Sequence, residues 1–295
     1  MKGIILAGGR GSRLAPLTYG TSKQLLGVYD KPMIYYPIGT LMEAGVTEIL
    51  IISTPEDSPT FKRLLRGGSQ WGIHFEYEVQ SKPRGLADAF IIGRDFVNNE
   101  PSCLILGDNI FYGSVVAARS RLAARDVSEI GGASIFAYRV KDPHSYGVIN
   151  FSKKGEPLSI EEKPKNPKSN FAIPGLYFYD SKVCDYARDL EPSARGELEI
   201  TDINRIYLED NSLDVHRLPA GTAWLDVGTH ESLLQAAEFI STIQNRQGIM
   251  VSCPEEVAYN NKYITKAALK ALTEGYANTE YGEYLSRILD ERYND

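Results

Sequence analysis

Short apolar blocks and helix-spaced segments alternate along the first two-thirds of the chain. Residues 4–7 form an apolar run of strand length, which ends in Gly8, Gly9 and Gly11. Residues 37–44 carry helical spacing and stop at Gly45, a residue suited to a helix end. Residues 48–53 read as a second buried strand, residues 59–65 as a helix, and residues 75–79 alternate as a half-buried strand does. Residues 86–96 read as one helix. Residues 102–106 form another strand, stopping at Gly107-Asp108-Asn109. The succession predicts an α/β fold, a mainly parallel mixed sheet flanked by helices in a Rossmann-like arrangement. Ligands of such sheets sit beyond the carboxyl ends of the strands, so Gly8-Gly9 and Gly107-Asp108 are expected to meet.

Residues 133–140, 147–151 and 175–179 add further strands. From Ser232 the texture turns helical: Leu233, Leu234, Ala237 and Ile240 recur at helical spacing, and residues 264–272 and 281–289 continue the pattern. Residues 252–256 form the loop between, with Pro254 placed for a helix start. The expectation is a core over residues 1–231 and a helical appendage over residues 232–295, packed on the core at a subunit interface.

Composition narrows the picture. The 295 residues suffice for one or two domains. A net charge of −6 argues against general nucleic-acid binding, so local basic residues must handle any anionic substrate. The start does not read as a signal peptide, and no apolar run approaches the ~20 residues of a membrane span. Cys103, Cys184 and Cys253 are widely spaced, which disfavours structural zinc and a disulfide framework. A reducing cytoplasm is the expected compartment.

Gly8, Gly9 and Gly11 match neither G-x-G-x-x-G, since Leu14 stands at the third position, nor a Walker loop. A strand that ends in glycines still lets backbone N–H groups approach a phosphate. Arg10, Arg13 and Lys23 add charge-assisted contacts, which favours a triphosphate grip over a bare turn. Asp108 and Asp226 each lie in a turn after a strand-like segment. Either alone would be read as a turn or cap residue. His74, His144, His216 and His230 are scattered without ligand spacing.

The stretch Leu-Ala-Gly-Gly-Arg-Gly-Ser-Arg-Leu from Leu6 to Leu14, with Pro-Leu-Thr and Ser-Lys-Gln-Leu after it, resembles the sugar nucleotidylyltransferases. Within them the chain is similar to the branch that joins dTTP to glucose 1-phosphate and releases pyrophosphate. Five more segments carry the likeness: residues 79–87, 106–113, 146–148, 160–164 and 224–229. Residues 245–248 and 253–256 extend it over nearly the whole chain.

The resemblance implies specific roles. Leu6, Gly8, Gly9, Gly11 and Asp108 would bind nucleotide, and Arg13, Lys23 and Lys163 would serve catalysis. Asp108 and Asp226 would hold Mg²⁺, a hard cation suited to two carboxylates plus phosphate oxygens and water. Gln80, helped by Gln24 and the backbone of Gly85, would read thymine, because a carboxamide offers both a donor and an acceptor. Cytosine would then be refused. Uracil, lacking one methyl, would lose only ~1–3 kcal/mol, so partial acceptance of UTP is expected. Tyr146, Gly147, Glu162, Lys163, Ile173, Arg195 and Glu197 would hold the sugar phosphate, although Tyr146 reads equally well as a packed strand aromatic.

The implied reaction is in-line attack by an already anionic phosphate on the α-phosphorus, driven by positioning and charge neutralisation without a general base. Two alternatives stay open at this point. One is a relative using UTP, CTP or another hexose 1-phosphate. The other is a non-catalytic sugar-nucleotide sensor, which would be marked by loss of Asp108, Asp226 or Lys163; all three are present. The family also implies a homotetramer with an inhibitory nucleotide site at an interface. Residues 253–256 fit that site, but residues 114–118 lack the expected His and acidic residues, and residues 219–222 lack the expected Arg.

Overall fold

The computed structural model describes residues 1–9 and 11–290. Alternation along the strands builds two cores. Ile5, Ile49, Ile51, Cys103 and Ile105 face one side of the sheet. Ile4, Leu6, Leu50, Ile52 and Leu104 face the other. Each strand is therefore apolar on both faces, as a sheet covered by helices requires. Ile38, Leu41, Phe61 and Leu65, from helices Tyr35–Glu43 and Ser58–Leu65, close the first face. Phe90, Val183, Ile203 and Tyr207, from Asp88–Ile92, Val183–Asp189 and Ile200–Glu209, close the second.

Among the described residues ten strands form the large sheet. Ser102–Leu106, Lys2–Leu6, Glu48–Ser53 and His74–Val79 lie side by side and parallel. Leu6 pairs with Leu106, so the loops after both strands leave from adjacent points. Leu176–Tyr179 then joins Ser102–Leu106 to Ala133–Arg139 in antiparallel fashion. Beyond it, Gly147–Phe151 and Pro157–Glu162 form a hairpin whose register sets Gly147 opposite Glu162. A separate pair, Asn109–Tyr112 with Ala223–Asp226, sets Asp226 opposite Asn109. These registers, more than any local motif, assemble the cleft described below.

Residues 86–96 correct the single-helix expectation. They form Asp88–Ile92 and Arg94–Val97, broken at Gly93. A Cβ at Gly93 would lie 3.0 Å from Leu50 Cδ2 and 3.1 Å from Ile4 Cδ1, so the chain packs close against the sheet there.

Helix His230–Gln247 starts with a capping box between Thr229 and Ser232 and ends at Gly248 in the left-handed region. Its Ala236 and Ile240 join Val28, Met33, Tyr36 and Val227 in a third cluster. Helix Pro254–Asn260 begins on its proline, then Lys266–Glu274 and Glu280–Leu289 follow. Glu255 is fully buried and binds this region together: Trp71 Nε1 (3.1 Å), Tyr276 Oη (3.2 Å) and Tyr281 Oη (2.6 Å) all donate to it. No helix of the described residues is long and apolar enough to cross a membrane.

Candidate active site

A cleft of about 320 Å³ opens beyond the carboxyl end of Lys2–Leu6, within the range of small-molecule sites. One part is lined by Leu6, Gly8, Gly9, Gln80 and Gly85, and another by Tyr146, Gly147, Glu162, Lys163, Ile173, Arg195 and Glu197. Arg13 and Asp226 also reach it.

The glycine loop takes its shape from crowding. Gly11 has φ 57° and begins the turn Ser12–Leu14; a Cβ there would lie 2.9 Å from Thr18 Cγ2. Gly8 has an ordinary backbone, but its Cβ would come within 3.1 Å of Gln80 Oε1. Gly85 is the most constrained: φ is 108°, and a Cβ would meet the Leu198 carbonyl at 2.3 Å. Leu198 N–H donates to Arg84 (2.7 Å) and Ala87 N–H donates to Leu198 (3.1 Å). The loop carrying Gly85 is thus stitched to the loop carrying Glu197. Arg10 lies outside the described residues.

Gly11, Lys23, Gln24 and Asp108 sit behind the cleft wall rather than on it. Lys23 Nζ is ion-paired with Asp108 Oδ2, both side chains largely shielded. Gln24 is 2% exposed and packs behind Gly107, where a Cβ would lie 3.0 Å from Gln24 Cγ; its Oε1 accepts from Ser22 Oγ (2.8 Å). Val227 N–H donates to the Asp108 carbonyl (3.1 Å), which holds the Asp226 turn against Asp108. Burial, and next the Asp108 charge, push the Asp226 carboxyl up to about 6, against the pull of Lys23, Arg13 and Lys163. A carboxyl crowded by another carboxylate is a place where a cation relieves repulsion. Among the described residues no group of three or more His, Cys, Asp or Glu could hold a metal. Two carboxylates with the remaining positions left to phosphate and water still fit Mg²⁺.

The other part of the cleft is rich in paired charge. Lys163 has φ 41° and its N–H donates to the Tyr146 carbonyl (3.0 Å); its Nζ lies 3.6 Å from Glu162 Oε1. Arg195 is shared by Glu199 (3.1 and 3.0 Å) and Glu197 (2.6 Å), with Glu162 at 3.7 Å. Ile173 N–H donates to the Gly147 carbonyl (2.8 Å). Tyr146 lines the cleft and packs edge-on against Trp224 with ring centroids 5.0 Å apart.

Three residues to which the sequence assigned no role also shape the site. Asn109 is 1% exposed, accepts from Trp224 Nε1 (2.7 Å) and Gly175 N–H (3.0 Å), and donates to Asp108 (2.9 Å). Thr201 Oγ1 donates to Glu162 Oε2. Asp88 is 1% exposed and accepts from Gln80 Nε2 (2.9 Å). Asn109 lies in the 106–113 segment that carries the likeness, but its partners, like those of Thr201 and Asp88, are revealed only by the fold.

The family profile described as nucleotidyl transferase matches residues 2–243. The chain belongs to the nucleotidyl transferase family. This nucleotidyl transferase is 54% identical to a Neisseria meningitidis protein named glucose-1-phosphate thymidylyltransferase, over 98% of the chain and 99% of that protein. A Mycolicibacterium smegmatis protein of the same name is 51% identical over 98% of the chain and 99% of its own length. A crystal structure of a Bacillus anthracis protein described as a glucose-1-phosphate thymidylyltransferase, in complex with a sucrose, is 43% identical with TM-score 0.74, covering 81% of this chain and 94% of that one. A UDP-glucose pyrophosphorylase structure matches at 22% identity and TM-score 0.71, covering 82% of this chain and 98% of that one, which supports the fold alone. Sequence relatives at this identity place this nucleotidyl transferase among the glucose-1-phosphate thymidylyltransferases.

Proposed function

We propose that the protein transfers the thymidylyl group of dTTP to α-D-glucose 1-phosphate, giving dTDP-glucose and pyrophosphate. The carrying observation is that a single cleft is lined both by Gln80, on the glycine-loop part, and by Glu162, Lys163 and Arg195. A carboxamide suits a pyrimidine edge, and the basic pair suits a sugar phosphate.

Asp108 and Asp226 are the residues that would hold Mg²⁺, which when bound neutralises phosphate charge. Arg13 reaches the cleft from the glycine loop, beside the 226–228 turn; a Cβ on Gly228 would lie 3.0 Å from its Nη2. There it would offset charge on the triphosphate. Lys163 and Arg195 would orient the attacking phosphate, which is already anionic and needs no base. Arg195 then has to exchange a carboxylate partner for the phosphate, so binding replaces one set of charge-assisted bonds with another. Glu162, fixed by Thr201, would accept from sugar hydroxyls. A homotetramer, with residues 232–295 at a subunit interface, and a cytoplasmic setting complete the reading. The three cysteines are buried and free, which supports a reducing compartment.

The test is pyrophosphate release with glucose 1-phosphate and each of dTTP, UTP, dCTP and ATP, with and without Mg²⁺. Release is expected with dTTP, weaker with UTP, negligible with dCTP, and dependent on the metal. Absence of dTTP turnover, or a preference for dCTP, would overturn the reading.

A further inference from the structure

Gln80 has a buried neighbour that decides which way its carboxamide points. Asp88 is 1% exposed, and its Oδ2 accepts from Gln80 Nε2 at 2.9 Å. Its Oδ1 accepts from Arg84 Nη2 at 2.6 Å. An aspartate in an ion pair is acceptor-only, so the Gln80 group facing it must be the NH₂. The carbonyl Oε1 is then turned the other way, toward Gly8 at the cleft wall. We infer that Asp88 is a positioning residue that sets base selectivity, an inference that rests on the thymidylyl reading.

The chemistry follows from the two base edges. Thymine and uracil present an N3–H flanked by carbonyls. Gln80 Oε1 can accept that N–H, while the second Nε2 hydrogen donates to a neighbouring carbonyl. Cytosine presents the reverse pattern, an acceptor at N3 and an amino donor at C4. It would be matched only by a flipped Gln80, and the flip would place Oε1 against Asp88 Oδ2 at the 2.9 Å now spanned by a hydrogen bond. Two acceptors at that distance repel, and the buried aspartate would lose a donor. Asp88 therefore enforces pyrimidine choice without touching the base. Arg84, 58% exposed at its side chain, keeps the aspartate paired from the solvent side.

The experiment compares kcat/KM for dTTP and dCTP in the natural protein, Asp88→Asn, Asp88→Ala, Gln80→Ala and Gln80→Ala/Asp88→Asn. Asp88→Asn can offer its own NH₂ to a flipped Gln80, so the dTTP:dCTP ratio should fall by about tenfold or more. In the Gln80→Ala background the same substitution should change the ratio less than twofold. A purely structural role would lower both nucleotides together and leave the ratio intact, which would overturn the inference. So would an equal effect of Asp88→Asn with and without Gln80, or loss of the fold in both single Asp88 variants by circular dichroism. If the natural protein does not turn over dTTP, the reaction reading fails on its own. Calorimetric affinities of the same variants for dTTP and dCTP then decide the Asp88 question separately.

Discussion

Lys23 and Asp108, 85 residues apart in the chain, form a shielded ion pair just behind the cleft wall. The pair exists because the strands before them, Lys2–Leu6 and Ser102–Leu106, are parallel neighbours in register. Asp108 therefore already has a cationic partner before any substrate arrives. Replacing its charge should disturb the Lys23 contact and the proposed metal site together. Asp108→Asn is expected to lower turnover about 10²–10³-fold and to flatten the response to added Mg²⁺. Near-normal pyrophosphate release from that variant would remove Asp108 from the mechanism.

Arg195 makes forked contacts with Glu199 and a further contact with Glu197. Lysine is a point charge and cannot reproduce a forked contact. In Arg195→Lys, KM for glucose 1-phosphate should rise about tenfold while KM for dTTP stays within twofold. Initial rates with each substrate varied in turn give both constants. An effect confined to dTTP would contradict the sugar-phosphate role.

Glu43 supplies a pH dependence. Burial pushes its carboxyl up to about 7, with the Arg121 charge opposing and the Glu256 charge adding. The folded state thus holds this proton more tightly than the unfolded chain, whose carboxyl titrates near its ordinary value of 4.5. The contribution to stability is complete below about pH 4.5 and is lost as pH rises toward 7. Glu43→Gln should shrink the difference in unfolding free energy between pH 5 and pH 8 by about 1–3 kcal/mol. Denaturant melts at the two pH values, at one protein concentration, would measure it. An unchanged difference would show that Glu43 titrates normally.

The fully buried Glu255 links the core to the last helices through Trp71, Tyr276 and Tyr281. Glu255→Leu removes the shared acceptor of Trp71, Tyr276 and Tyr281; Tyr281 Oη keeps Cys253 Sγ at 3.2 Å, and each donor left unpaired costs roughly 1–3 kcal/mol before relaxation. A loss of about 3 kcal/mol or more in urea unfolding is expected. Trp71→Phe, which removes only one donor, should cost less than half as much. Equal losses from the two variants would mean that the carboxylate is not the centre of the linkage.

Some elements were legible because their sequence is one-sided in character. The apolar runs around Ile4 and Ile51 read as buried strands, and Glu48–Ser53 has the bounds expected of it. Helix Ser114–Glu129 carries no such signal. Its buried positions, Val116, Ser120, Ala123 and Val127, have helical spacing, but two of them are small and one is polar. The strand Pro157–Glu162 is likewise obscured, because its end faces the cleft and carries acids. Gly93 is visible in the sequence as a glycine within a helical pattern, but its close approach to Leu50 and Ile4 is set by the fold.

The α/β succession, the glycine loop and the residue types able to handle a nucleotide and a sugar phosphate can all be read along the chain. Those follow from short-range periodicity and from chemistry that each side chain carries wherever it sits. The pairings come from the packed fold. Strand register set Asp226 opposite Asn109 and brought Lys23 to Asp108, and the packing of the Gly85 loop on Leu198 connected Gln80's side of the cleft to Glu197's. Asp88 shows the difference most directly: in sequence it is an ordinary position within the helix expected over residues 86–96, and in space it is the buried acceptor that orients Gln80. Hydrogen-bond partners distant in the chain are fixed by packing, and packing is a property of the whole fold.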